Sequence, residues 1–81
     1  MRVLLADDHA IVRRGLRSLL ETEPQMSVVA EAADGHEAIR LAEEHHPDVA
    51  ILDIGMPLMN GIEVAARLRA MPWLTRRGAA A

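Results

Sequence analysis

The chain has 81 residues, of which 51% are hydrophobic and 26% charged, and its formal net charge is −3. That length allows one small domain, and the balance is that of a globular chain rather than a disordered one. Mild acidity argues against a nucleic-acid footprint, no apolar run approaches the roughly 18 residues of a membrane span, and the absence of cysteine excludes disulfide and thiol chemistry.

Val3-Leu4-Leu5-Ala6 is a short apolar run that ends abruptly in Asp7-Asp8-His9, as a buried strand does where its end reaches solvent. Ile11, Val12, Leu16, Leu19 and Leu20 then recur at helical spacing, with Arg13, Arg14, Arg17 and Glu21 on the opposite, solvated face. Gly15 inside this helix costs about 1 kcal/mol relative to Ala, which points to close packing. Pro24 lies past the last turn and fits a helix stop.

Ser27 to Ala32 reads as a second strand. Asp34-Gly35 marks a turn, and Asp34 with Glu37 forms a start resembling a capping box. Ala38, Ile39, Leu41 and Ala42 give a second apolar helix face, which ends at His45-His46-Pro47 because the residue before proline is pushed out of the α region. Val49 to Leu52 is a third apolar run ending in an acid, Asp53. It lacks alternation, as a strand covered on both faces does. The loop from Ile54 to Gly61 ends in Asn60, a good helix cap. A third helix, carrying Ile62, Ala65, Ala66, Leu68 and Arg69, must end near Ala70, before Pro72. From Trp73 to Ala81 no element is expected.

Alternation of this kind implies a parallel α/β sheet with right-handed crossovers and helices on both faces. In such a sheet every strand presents its carboxyl end to one edge, where ligands bind at the switch in strand order. Asp7, Asp8 and Asp53 should therefore converge. A single Asp at a strand end is more often a turn or cap residue, but three at matching strand ends point to a site. Like charges that close repel unless a cation or a proton intervenes, and hard oxygen donors in an open site suit Mg²⁺. His9 reads as a helix-start residue, His36, His45 and His46 as helix-end residues, and Met56 and Met59 as loop packing.

Five segments, in order, carry a resemblance. They are Asp7-Asp8-His9, Val12-Arg13-Arg14-Gly15-Leu16, Glu31-Ala32-Ala33-Asp34-Gly35, Pro47-Asp48, and Asp53-Ile54-Gly55-Met56-Pro57-Leu58-Met59-Asn60-Gly61. From Val3 to about Arg69 the chain resembles response-regulator receiver domains. Its D-D-H-x-x-x-R-x-G opening is similar to the branch with LuxR-type helix-turn-helix output. The resemblance implies a partial flavodoxin-like (βα)3 fold with strand order 2-1-3. It implies that Asp53 accepts a phosphoryl group from a histidine kinase. Mg²⁺ would be held by Asp8, Asp53 and the Gly55 backbone carbonyl, and by Asp7 through water. Pro57 and Gly61 match the residues that shape the loop after the acceptor strand.

The resemblance stops after the third βα unit, so the chain reads as a truncated receiver, residues 1–70, followed by an irregular tail, residues 71–81. The family's fourth strand ends in Ser or Thr and its fifth in Lys. Thr75 follows no apolar strand, the chain has no Lys, and nothing places Arg76 or Arg77 in that role. The third strand should be a sheet edge, and an apolar edge invites pairing with a second copy. The expected function is two-component signalling with a transcriptional output in the cytoplasm, without enzymatic turnover, membrane insertion or direct nucleic-acid contact by this segment. The alternative is a signalling-incompetent receiver acting as a dimerisation or interaction module. A Mg²⁺-dependent phosphohydrolase is disfavoured, since no D-x-D pair follows the first strand.

Overall fold

The apolar run at the N-terminus becomes the centre of the sheet. In the computed structural model, which describes residues 1–73, β1 (Arg2–Ala6) is flanked by β2 (Ser27–Ala32) and β3 (Val49–Leu52), all parallel, in the order β2-β1-β3. The helices are α1 (Ala10–Glu21), α2 (Gly35–His45) and α3 (Gly61–Arg69). This is the expected βαβαβα order and topology.

β1 pairs with β3 in even register, Val3 opposite Val49 through Ala6 opposite Leu52. On the β2 side the register shifts between Val3 and Leu4, so Val29 is passed over and the last three residues of each strand align. Alternation sends Leu4 and Ala6 to one face, where they join Ala38 and Ala42 of α2 and Val64 and Leu68 of α3 in a continuous core. The alanines of α2 let that helix lie close on the strands. Met56 and Met59, each 4% exposed, complete the core from the loop before α3, so their expected packing role holds.

Caps follow the sequence reading. Asp34 accepts the Glu37 N–H at 2.9 Å, and Glu37 reaches back to the Ala33 N–H at 2.9 Å. Asn60 and Glu63 form a complete capping box on α3. His46 closes α2 in the left-handed region at φ 48°, just before the buried Pro47.

α1 forms as expected, but its apolar face is left largely uncovered. None of its residues is buried, and Ile11, Val12 and Leu19 are largely exposed. The cause is its isolation among the described residues: α2 and α3 pack against each other and the core face, whereas α1 rests on β1 and β2. A lone helix has only the narrow stripe facing the sheet covered. Gly15 permits no close approach, because a Cβ there would meet nothing within 4 Å. The arginines are not merely solvated either. Arg13 and Arg17 both bind Glu31 of β2, tying α1 down through polar contacts.

β3 is likewise covered less than its composition implied. Ala50 is buried, but Ile51 is 37% exposed, because β3 is an edge strand with one paired neighbour among the described residues. Past Arg69 the sequence predicted no element from Trp73 onward, yet Met71 and Trp73 pack on the core and Pro72 and Trp73 are helical. The Trp73 ring stacks on His46, with centroids 4.4 Å apart and planes 4° from parallel. The rest of the expected tail, with Thr75, Arg76 and Arg77, lies outside the described residues.

Candidate phosphoryl-acceptor and metal site

The sheet's hydrogen bonding runs one residue past two strands and fixes the acids. The Asp7 N–H donates to the Ala32 carbonyl at 3.0 Å, and the Asp53 N–H donates to the Ala6 carbonyl at 2.9 Å. Asp7 and Asp53 thus stand side by side at the carboxyl edge of β1 and β3, with Asp8 next in the chain. Oxygens of all three carboxylates and a ring nitrogen of His9 lie within 4.8 Å of one another. The expected convergence of Asp7, Asp8 and Asp53 is therefore present.

Each acid has its own setting. The Asp7 side chain is 12% exposed and the other two are 29% exposed. Asp7 Oδ1 accepts the His9 N–H at 2.8 Å, and Asp53 Oδ1 accepts the Gly55 N–H at 3.2 Å. Gly55 thereby sits beside Asp53, tied to it by its amide. Gly61, the first residue of α3, packs under the Asp53 backbone, where only a missing Cβ allows the approach. Gly35 makes a similar approach to Met59, so the second glycine keys the loop against α2.

Sequence reasoning missed the orientation of His9. It is the N-cap of α1 as expected, with extended backbone, but its side chain makes no cap hydrogen bond. Its Nδ1 lies 3.1 Å from Asp8 Oδ1, 3.2 Å from Asp7 Oδ1 and 3.9 Å from Asp53 Oδ2. The hydrogen bond to Asp7, followed by the charge of Asp8, raises the pKa of this exposed imidazole above 6.5. Adjacency to the acid pair was the available signal. His45 and His46 stay outside the cluster, His45 accepting an Arg2 guanidinium bond through its carbonyl at 2.6 Å.

Chemically, the cluster offers several hard carboxylate oxygens at a partly open sheet edge. That donor set fits a small, strongly hydrated divalent cation such as Mg²⁺ better than a softer metal. Asp7, Asp8 and Asp53 are the residues able to hold it, and Asp53 has Oδ1 engaged by the Gly55 N–H and Oδ2 3.9 Å from the His9 ring nitrogen.

Comparison with known proteins matches residues 3–77 to the response regulator receiver domain family. The chain is 48% identical over 68 residues to the transcriptional regulatory protein LiaR of Bacillus subtilis, covering 84% of this chain and 32% of that protein. Among solved structures, a LuxR-family two-component response regulator from Aurantimonas superposes with a TM-score of 0.80 at 48% identity, over 84% of this chain and 49% of that one. The signal receiver domain of the response regulator NarL from Mycobacterium tuberculosis gives a TM-score of 0.83 at 35% identity, over 96% of this chain and 77% of that one. The chain spans about a third of the length of the curated relatives it matches.

Proposed function

Since this chain belongs to the response regulator receiver family of two-component systems, we propose that Asp53 is its phosphoryl acceptor and that a histidine kinase is the donor. The observation that carries this reading is the meeting of Asp53 with Asp7 and Asp8 at one sheet edge. A carboxylate oxygen of Asp53 attacks phosphorus in a phosphohistidine of the kinase. The P–N bond breaks, its electron pair returns to the imidazole, and an acyl phosphate forms on Asp53. Mg²⁺, when bound, neutralises charge on the phosphoryl oxygens. Asp8, Asp53 and the Gly55 carbonyl would hold it directly, and Asp7 through water. The Gly55 N–H fixes one Asp53 oxygen, which leaves the other to face the phosphoryl group.

Residues 1–70 act as the receiver unit, and the outcome of its phosphorylation is the control of transcription. The names of LiaR and YdfI, both transcriptional regulatory proteins, support a transcriptional output. None of the described helices is long and apolar enough to cross a membrane. The segment itself needs no nucleic-acid contact and no turnover of a substrate.

The test is incubation with acetyl phosphate and Mg²⁺, read by intact mass. One phosphoryl gain, lost in Asp53→Asn and lost with chelator, supports the reading. A gain that survives Asp53→Asn places the acceptor elsewhere and overturns it.

A second reading, a dimerisation module, is favoured by β3. Its outer backbone edge is unpaired among the described strands, and beside it runs a groove of about 420 Å³ lined by Ile51, Leu52, Ile54, Ile62, Ala65 and Arg69. Two copies would join β3 to β3 about a two-fold axis, antiparallel at the seam.

A further inference from the structure

The D-D-H-x-x-x-R-x-G opening contains an arginine that the site has not yet used. The Arg13 guanidinium lies between three elements. Its Nη1 donates to the Asp7 backbone carbonyl at 2.6 Å, and its Nε donates to Glu31 Oε1 at 3.2 Å. Arg13 belongs to α1, Asp7 follows β1, and Glu31 lies on β2. The Arg13 side chain is 20% exposed and Glu31 is 25% exposed, so water screens the pair less than it screens a surface pair.

From this geometry we infer that Arg13 is a positioning residue for the acid pair, setting the affinity of the site for a divalent cation through the Asp7 backbone. The inference rests on the Mg²⁺ reading above. Asp7 is held at three points: its N–H by Ala32, its carboxylate by the His9 N–H, and its carbonyl by Arg13. The first two fix the strand end and the turn. The third alone fixes the peptide plane between Asp7 and Asp8, because the Asp7 carbonyl and the Asp8 N–H belong to that one rigid unit. Rotation of that plane would swing the Asp8 side chain relative to Asp53. Glu31 acts one step further out, orienting the guanidinium. Arg17 also binds Glu31, but no contact joins it to Asp7.

Outer hydrogen bonds of this kind typically change metal affinity by 10–100-fold. The experiment measures Mg²⁺ affinity of the full chain by calorimetry, with thermal melts in parallel. Arg13→Gln should weaken Mg²⁺ binding about tenfold, and Arg13→Lys should recover part of it, since an ammonium can still donate to the carbonyl. Glu31→Gln should weaken binding less. Arg17→Ala should leave affinity unchanged while lowering the melting temperature. Unchanged Mg²⁺ affinity in a folded Arg13→Gln protein overturns the inference and leaves the site assignment standing. If Arg13→Gln fails to fold, equal affinities of Arg13→Lys, Glu31→Gln and wild type overturn it. If the wild-type chain itself takes up no Mg²⁺, the site reading falls and the inference falls with it.

Discussion

Gly61 sits against the backbone of Asp53: a Cβ on Gly61 would lie 2.5 Å from the Asp53 carbonyl oxygen and 2.9 Å from its carbonyl carbon. Both partners are backbone, so neither can rotate away. Gly61→Ala should therefore destabilise the fold by about 1–3 kcal/mol, the usual cost of forcing an extra carbon into a packed region. It should also shift the amide resonances of Asp53 and Ile54. Denaturant melts and a two-dimensional amide spectrum measure both, and an unchanged midpoint would show that α3 can slide to make room.

Gly15 is the opposite case. It lies mid-helix, exposed, with open space where its Cβ would be. Gly15→Ala should stabilise the protein by about 1 kcal/mol through helix propensity and a stiffer unfolded chain. The same denaturant melts decide it, and destabilisation would mean that the position makes a contact which the geometry does not contain.

The Asn60 cap can be tested separately from the acids it lies near. Its Oδ1 accepts the Glu63 N–H at 3.0 Å, and Glu63 Oε1 accepts the Asn60 N–H at 3.3 Å. Asn60→Ala should cost about 1 kcal/mol, and Asn60→Asp or Asn60→Ser almost nothing. Equal losses for Ala and Asp would mean that the asparagine acts by something other than its side-chain oxygen.

His9 supplies a pH dependence with a definite sign. Its folded pKa is raised above 6.5, chiefly by the hydrogen bond to Asp7 and then by the charge of Asp8. A raised folded pKa means that the protonated form is favoured by folding. The resulting stabilisation is complete below the unfolded value near 6.5 and is lost as pH rises through the folded pKa. In chelator, the His9 ring proton should titrate above 6.5 by NMR. Asp7→Asn should return it furthest towards the ordinary value, and Asp53→Asn least. A titration at or below 6.5 in the wild type would contradict the observed approach of the ring to the acids.

The β3 edge predicts an oligomeric state for this chain. At micromolar concentration, light scattering should give the mass of two chains. Ile51→Lys, which puts a charge on an edge strand, should give one. A well-folded wild-type monomer would remove the pairing proposal without touching the phosphoryl-acceptor reading.

What the sequence made legible was local. Strand ends at Asp7 and Asp53, caps at Asp34 and Asn60, and the helix stop before Pro47 each depend on neighbours within a few residues, and each is present. The convergence of the acids was also legible, because parallel topology puts strand ends together whatever the details. What failed was what depends on a third element. The apolar periodicity of α1 gave a face but not how little of it β1 and β2 cover among the described residues. The attachment of Arg13 to Glu31 spans 18 residues, and the stack of His46 on Trp73 joins a helix end to the segment beyond α3. The turn of the His9 ring into the acids depends on Asp53 as well as on its own neighbours, so residue type alone favoured a bland helix start.

The two hydrogen bonds that extend the sheet past its strands also bear on how the site comes into being. The backbone of Asp7 joins the sheet edge only when it meets Ala32, and that of Asp53 only when it meets Ala6, so the two acids come together through contacts distant in sequence. Loop closure over such distances costs entropy before any pairing returns it. The acid cluster therefore has no counterpart in a helix or a turn that forms early. It exists once β1 has captured both neighbours, and a ligand of the cluster recognises the closed sheet alone. Every increment of ligand affinity is then an increment of folding stability, and the midpoint of unfolding, followed against ligand concentration, reads the occupancy of the site.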